Sequence, residues 1–184
     1  MITRLFCPSA FASSLSGIDL DDLRARGIDF LILDLDNTLA EWQRYEIPDA
    51  TAAWVKSAQD RGMKLCIASN TRNSRRLESI AGRLGVYSIC RALKPRMRGF
   101  ALAMELMGAV RARTAVIGDQ ILTDIFGGNR AGLYTILVPP MHPREFIGTK
   151  LSRIVERLLL FWFRRKGLMG TKPKPPQSER KERA

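Results

Sequence analysis

The chain has 184 residues, 46% of them apolar and 8% aromatic, which is enough for one buried core and too apolar for a disordered chain. Its net charge of +12 is uneven: residues 150–184 hold 11 Lys+Arg against 3 Asp+Glu, and residues 1–149 hold 19 against 15. Cys7, Cys66 and Cys90 are odd in number and unpaired in spacing, which excludes a disulfide framework or a cysteine zinc site, and no stretch has the apolar region of a signal peptide or the ~18 apolar residues of a membrane span. The basic C-terminus calls for an anionic partner, membrane surface or nucleic acid.

In chain order, residues 1–17 read as an irregular lead-in. Asp19 to Arg26 suits a short helix ended by Gly27. Residues 29–33 form the first strand, an unbroken apolar run that needs no alternation if both faces are covered. It ends in Asp34-Leu35-Asp36-Asn37-Thr38, where the chain must turn. Pro48-Asp49 starts a helix over Ala50–Arg61, stopped by Gly62. Lys64–Ala68 is a strand ending at Ser69-Asn70-Thr71, Asn73–Leu84 a helix ended by Gly85, and Val86–Cys90 a short strand. Lys94-Pro95 precedes a helix over about residues 97–108; Ala115–Ile117 is a strand ending in Gly118-Asp119; Ile121–Ala131 is a helix closed by Gly132; Thr135–Val138 is the last strand. Strands alternating with helices imply right-handed crossovers and a mainly parallel sheet covered by helices.

Three polar clusters share one position, the C-terminal end of a strand: Asp34 with Asp36, Ser69 with Asn70, and Asp119. In a parallel sheet these ends lie on one edge, where ligands bind. Hard oxygen ligands at Asp34, Asp36, Asp119 and Asp124 suit Mg²⁺. With Lys94 and a donor at Ser69, a cation there also makes a cradle for a phosphoryl group. An aspartate can then attack phosphorus while a second acid two residues on handles the protons. The Gly-rich loop of P-loop nucleotide chemistry is missing.

Asp34-Leu-Asp36-Asn-Thr38, Ser69-Asn70, Lys94-Pro95 and Gly118-Asp119 through Asp124 resemble, in order and spacing, the four motifs of the haloacid dehalogenase (HAD) superfamily, over about residues 18–140. Leu39-Ala-Glu41-Trp42 and Gly127-Gly128-Asn129-Arg130-Ala131-Gly132 are similar to its YqeG-like, subclass IIIA branch, which includes phosphatidylglycerophosphate phosphatases. The resemblance implies a HAD-like (Rossmann-like) three-layer α/β sandwich and an Mg²⁺-dependent phosphatase. It makes Asp34 the nucleophile and Asp36 the general acid/base. Thr38 supports the loop, and Ser69 and Lys94 bind the phosphoryl group. Asp119, Asp34 and the backbone carbonyl of Asp36 ligate the metal, with Asp124 behind them. The short stretch between Thr38 and the second strand leaves no room for a sizeable cap, so the site is open to large substrates.

Other residues leave two readings open. Asn70 either donates to the phosphate or shapes its turn. Arg130 holds a second phosphate or pairs with a carboxylate near the site. Arg72, Arg75 and Arg76 ring the entrance or, the reading favoured here, form a solvated helix face. Trp42 lines the entrance or packs over the strand end. His142, alone among prolines, is neither ligand nor base, and Met97, Met104 and Met107 are core filler.

Residues 1–148 thus form the phosphatase core with its lead-in. Lys150–Gly167, within a segment spanning 149–167, reads as an amphipathic helix with a Leu-Phe-Trp-Phe run and the Arg164-Arg165-Lys166 cluster, suited to a membrane interface. Residues 168–184 read as a disordered basic tail. The reading that follows is a phosphatidylglycerophosphate phosphatase, cytoplasmic and peripheral on the inner face of the cell membrane. The alternatives are a soluble phosphatase for a sugar or nucleotide phosphate and a nucleic-acid-associated protein. Nucleic acid is the weaker partner, because the aromatics are not interleaved with the cations.

Overall fold

The computed structural model describes residues 2–141. In chain order these form a 3-10 turn (Ile2–Phe6), β1 (Ala10–Phe11), α1 (Leu20–Ala25), β2 (Phe30–Leu33), α2 (Asp49–Asp60), β3 (Lys64–Ala68), α3 (Ser74–Leu84), β4 (Tyr87–Ile89), α4 (Met97–Met107), a second 3-10 turn (Arg111–Arg113), β5 (Thr114–Gly118), a π turn (Ile121–Ile125), α5 (Phe126–Arg130) and β6 (Tyr134–Leu137). The amphipathic helix expected over 149–167, the tail over 168–184 and His142 lie outside the described residues.

Six strands form one sheet in the order β1-β6-β5-β2-β3-β4, and every pairing is parallel. Successive strand residues point to opposite faces, and the core divides accordingly. Leu31, Leu33, Leu65, Ile67, Ala115 and Ile117 pack with Leu23 of α1, Val55 of α2 and Ile80 of α3. Ile32, Cys66, Ala68 and Val116 pack on the other face with Phe100 and Met107 of α4. The apolar run of β2 is therefore continuous because both faces are covered, and the result is the expected three-layer sandwich.

The chain order reverses beside β2: β3 and β4 extend the sheet on one side, β5 and β6 on the other. The crevice outside the carboxyl ends at such a reversal is where open α/β sheets place their ligands. Between β2 and β3 lie only a loop and α2, so nothing inserted there covers that crevice.

Three expectations need correction. The lead-in is not irregular. Ala10 and Phe11 pair with Ile136 and Leu137 as an edge strand, Ser9 Oγ accepts from Thr135 N at 3.2 Å, and Phe6 stacks on Phe126 with centroids 4.6 Å apart. A two-residue strand has too little sequence to show a period; its partner, β6, specifies it. The helix expected over Ile121–Ala131 is a π turn followed by the short α5. The wider turn lets Gly127 approach α4 closely: a Cβ there would lie 2.6 Å from Phe100 Cε2. Met97, expected in the core, is 49% exposed, whereas Met104 and Met107 are buried.

Candidate active site

Asp34 follows β2 directly, and its N–H still donates to Ile117 O of β5 at 2.9 Å, so the carboxylate inherits the rigidity of the central strand. Lys94 reaches it from the loop after β4. Its Nζ donates to Asp34 Oδ1 at 2.5 Å and to Asp124 Oδ1 at 2.6 Å. All three side chains are buried, with 3%, 9% and 1% exposure for Lys94, Asp34 and Asp124. Burial works against the Lys94 charge, but Asp124 and Asp34 outweigh it and hold the ammonium above its ordinary value. One cation shared by two carboxylates does not fully satisfy either. Burial pushes Asp124 up to about 6 despite Lys94.

Asp124 is aimed by the π turn. Its Oδ2 accepts from Gln120 N at 3.2 Å, and its own N–H donates to Gln120 O at 3.0 Å. Turns of this width concentrate at functional sites because they displace one side chain from the helical path. The carboxylate lies so close to the end of β5 that a Cβ at Gly118 would meet Asp124 Oδ2 at 2.3 Å, and only glycine fits. Asp119 completes the group. One carboxylate oxygen from each of Asp34, Asp119 and Asp124 lies within 4.8 Å of the other two.

Asp36 stands apart from this cluster. Its carboxylate accepts from Arg76 Nη1 at 2.7 Å, while Arg76 also donates to Arg44 O at 2.6 Å and Glu41 O at 3.0 Å. Burial raises the Asp36 carboxyl above its ordinary value, Arg76 opposes that rise and Asp34 adds to it. Arg76 is 2% exposed, so the solvated helix face expected for it is wrong. Asn73 caps α3 by accepting from Arg76 N at 3.0 Å, and Arg76, Leu77, Ile80 and Ala81 are the buried residues of that helix. The i, i+4 relation of Arg76 to Ile80 was the signal in the sequence. Arg75 is exposed on α3, as a solvated face requires, whereas Arg72 precedes the helix and, though exposed, lines the entrance to the site.

Ser69 is buried at the end of β3, and its Oγ accepts from Thr71 N at 3.1 Å. Asn70 shapes its turn: Nδ2 donates to Lys94 O at 2.9 Å, and Oδ1 accepts from Lys94 N at 2.8 Å. Thr38 is buried in the loop after β2, which Asn37 closes by donating its N–H to Ala40 O at 2.7 Å. A cavity of about 660 Å³ opens over these groups, lined by Asp34, Asp36, Ser69, Lys94, Trp42 and Arg72 among others. Trp42 therefore lines the entrance. Arg130 is not brought there; it is exposed, with its guanidinium 5.4 Å from the Phe126 ring centroid.

Asp34, Asp119 and Asp124 crowd together around the Lys94 ammonium that Asp34 and Asp124 share, a local excess of negative charge. Crowded buried carboxylates are unfavourable unless a cation joins them. The donor set at Asp34, Asp119 and Asp124, all oxygen, fits a hard divalent ion.

Residues 31–92 match the family model for haloacid dehalogenase-like hydrolases, and residues 91–140 match the HAD-hydrolase-like model. The chain is 37% identical over 167 residues to the probable phosphatase YqeG of Bacillus subtilis, covering 91% of this chain and 96% of that one. The chain belongs to the YqeG-like branch of the haloacid dehalogenase-like hydrolases. Enzymes of this family to which it is related hydrolyse phosphoric monoesters, and that is its reaction class. A second relative in the same branch is chloroplastic phosphatidylglycerophosphate phosphatase 1 of Chlamydomonas reinhardtii, 27% identical over 92% of this chain and 65% of that protein. The fold matches that of a crystal structure of an uncharacterised Listeria monocytogenes protein, with a TM-score of 0.52, 17% identity and coverage of 73% of this chain and 99% of that one.

Proposed function

We propose that this HAD-like phosphatase removes the terminal phosphate of phosphatidylglycerophosphate through an aspartyl-phosphate on Asp34, with Mg²⁺ as its cation. The observation that carries the chemistry is the contact of Asp34 with Lys94 at the carboxyl edge of β2, beside Asp119 and Asp124 and two residues from Asp36. Asp34, Asp119 and Asp124 would hold the ion, and Asp36 would join through its backbone carbonyl. When bound, a divalent ion offsets the negative charge of the phosphoryl oxygens and of the crowded carboxylates.

The chain's own residues do the rest. A carboxylate oxygen of Asp34 attacks phosphorus as the phosphorus–oxygen bond to the leaving group breaks. Asp36 gives its proton to the departing alkoxide. It then takes a proton from the water that attacks the aspartyl-phosphate and releases inorganic phosphate, restoring Asp34. Arg76 holds Asp36 in place through this exchange. Lys94 and Ser69 bind phosphoryl oxygens, and Asn70 and Thr38 hold the loops that present them.

The lipid substrate is supported by the chloroplastic relative, by the open crevice over the site, and by the basic, aromatic-rich sequence of residues 150–167, which suits the anionic inner face of a cell membrane. Among the described residues no helix is long and apolar enough to cross a membrane. The test is phosphate release from phosphatidylglycerophosphate, glucose 6-phosphate and adenosine monophosphate, each with and without Mg²⁺. The lipid is expected to be preferred, and Asp34→Asn to lower every rate by roughly 10³-fold or more. Preference for a water-soluble ester would exclude the lipid reading, and turnover retained by Asp34→Asn would exclude the nucleophile.

A further inference from the structure

A second cavity, of about 600 Å³, opens beside the first. It is lined by Asn70, Arg72, Arg91, Leu93, Lys94 and Arg96, together with Pro95, and so shares Asn70, Arg72 and Lys94 with the catalytic cavity. Among the described residues, three arginines line it and no carboxylate does. The Lys94 ammonium already serves Asp34, Asp124 and, in the proposed reaction, the transferred phosphoryl group, and none of Arg72, Arg91 and Arg96 makes an ion pair among the described residues. The arginines therefore supply positive charge that the reacting groups have not used.

The loop that carries Arg91 and Arg96 is held in an unusual conformation. Arg91 and Leu93 have φ of 53° and 55°, in the left-handed region that side chains other than glycine rarely adopt. Such conformations persist only where the surroundings fix them. Here Arg91 N donates to Thr71 O at 3.2 Å, Ala92 N to Ser69 O at 2.9 Å and Arg96 N to Leu93 O at 2.9 Å, while the Asn70 amide clasps Lys94. The backbone is thus set before any ligand arrives, with Arg91 and Arg96 exposed and lining the cavity that shares Lys94 with the catalytic one. A guanidinium matches phosphate with two parallel hydrogen bonds, and a cleft lined by one sign of charge concentrates the opposite one.

We infer that this second cavity binds a second phosphate on the leaving-group side of the substrate, a conclusion that rests on the phosphatase reading above. A monoester with an uncharged leaving group has nothing to place against Arg91 and Arg96. A bisphosphate, free or as a lipid headgroup in which one phosphate is a diester, fills both cavities at once. Arg91 and Arg96 are then the residues that set selectivity.

The double variant Arg91→Gln, Arg96→Gln removes both charges while keeping long polar side chains at exposed positions. In solution, kcat/KM is compared for propane-1,3-diol bisphosphate and propyl phosphate. In phosphatidylcholine vesicles, it is compared for phosphatidylglycerophosphate and phosphatidic acid. Each ratio is expected to fall roughly tenfold or more in the variant, since charged hydrogen bonds are lost for only one member of each pair. A fall in both arms supports the inference for either source of phosphate, and a fall confined to the vesicles supports it for the lipid headgroup. Unchanged ratios in both arms overturn it. Calorimetric titration of Asp34→Asn protein, with and without the two glutamines, uses the same soluble pair and needs no turnover. Weakened binding of the bisphosphate alone upholds the cavity assignment even if no ester is hydrolysed, an outcome that would remove only the phosphatase reading. Equal affinity in the two proteins overturns the assignment.

Discussion

Arg76 and Gly118 have no part in the proposed chemistry, yet each fixes a carboxylate to which a role is proposed. Arg76 spends three N–H groups on Asp36, Glu41 O and Arg44 O, pinning the loop after β2 to α3. Its side chain is 3% exposed and that of Asp36 23%. Removing one partner of a buried pair strands the other, at a cost of about 3–5 kcal/mol at full burial, so roughly 2–3 kcal/mol is expected for this half-open pair. Arg76→Met should therefore lower the melting temperature by several degrees and reduce turnover through misplaced Asp36, and an unshifted melting curve would contradict the pinning role. At Gly118 the argument is steric. A methyl group would sit 2.3 Å from Asp124 Oδ2, so Gly118→Ala must push Asp124 off Lys94. It should weaken divalent-cation binding about tenfold or more, measured by calorimetry, because the ligand set loses its geometry.

At the scale of elements, the N-terminal lead-in braces the back of the site. Asn129 of α5 donates through Nδ2 to Leu5 O at 2.8 Å and Cys7 O at 2.9 Å, and Ala12 N donates to Leu137 O at 3.1 Å. Phe6 covers Phe126, at the start of the helix that follows the Asp124 turn. Deleting residues 1–12 uncovers Phe126 and leaves β6 as an unprotected edge. The truncated protein should melt at least several degrees lower and aggregate more readily, which differential scanning calorimetry and light scattering would show. A melting point equal to that of the whole chain would mean that β1 is ornament. The α5 glycines act in the same region: Gly127 lets Phe100 approach and Gly128 does so for Thr135, so α5 is set by these small residues as well as by Phe126.

For the whole molecule, the parallel sheet brings together the carboxyl ends of strands that are distant in sequence, and with them a local excess of negative charge around Lys94. The folded chain should consequently gain stability from a divalent ion that the unfolded chain binds poorly. At Mg²⁺ one hundred times its dissociation constant, linkage gives about 2.7 kcal/mol. A rise in melting temperature on adding Mg²⁺, lost in Asp119→Asn, is the expected result; a melting temperature indifferent to the ion would contradict the cation site. The basic C-terminus belongs to this scale too. Protein with residues 150–184 should pellet with anionic vesicles, protein without them should not, and salt should weaken the binding.

The strand-helix alternation and the acids at the strand ends were legible in the sequence because both are local. An apolar run declares a strand, a glycine closes a helix, and Asp34 must follow the strand that precedes it. The parallel sheet followed from connections too long for hairpins, and the motif spacing named the family. Tertiary structure alone decided which charges meet. Arg76 and Asp36 are far apart in the chain, and only the packing of α3 beside the loop after β2 buries them together. The edge strand at Ala10 exists because β6 offers it unpaired backbone groups, and the arginines beside Lys94 form one cavity because two loops at the sheet edge are laced by hydrogen bonds. Pairings between distant segments leave no period in the sequence, since each half reads as an ordinary solvated residue until the fold removes the water.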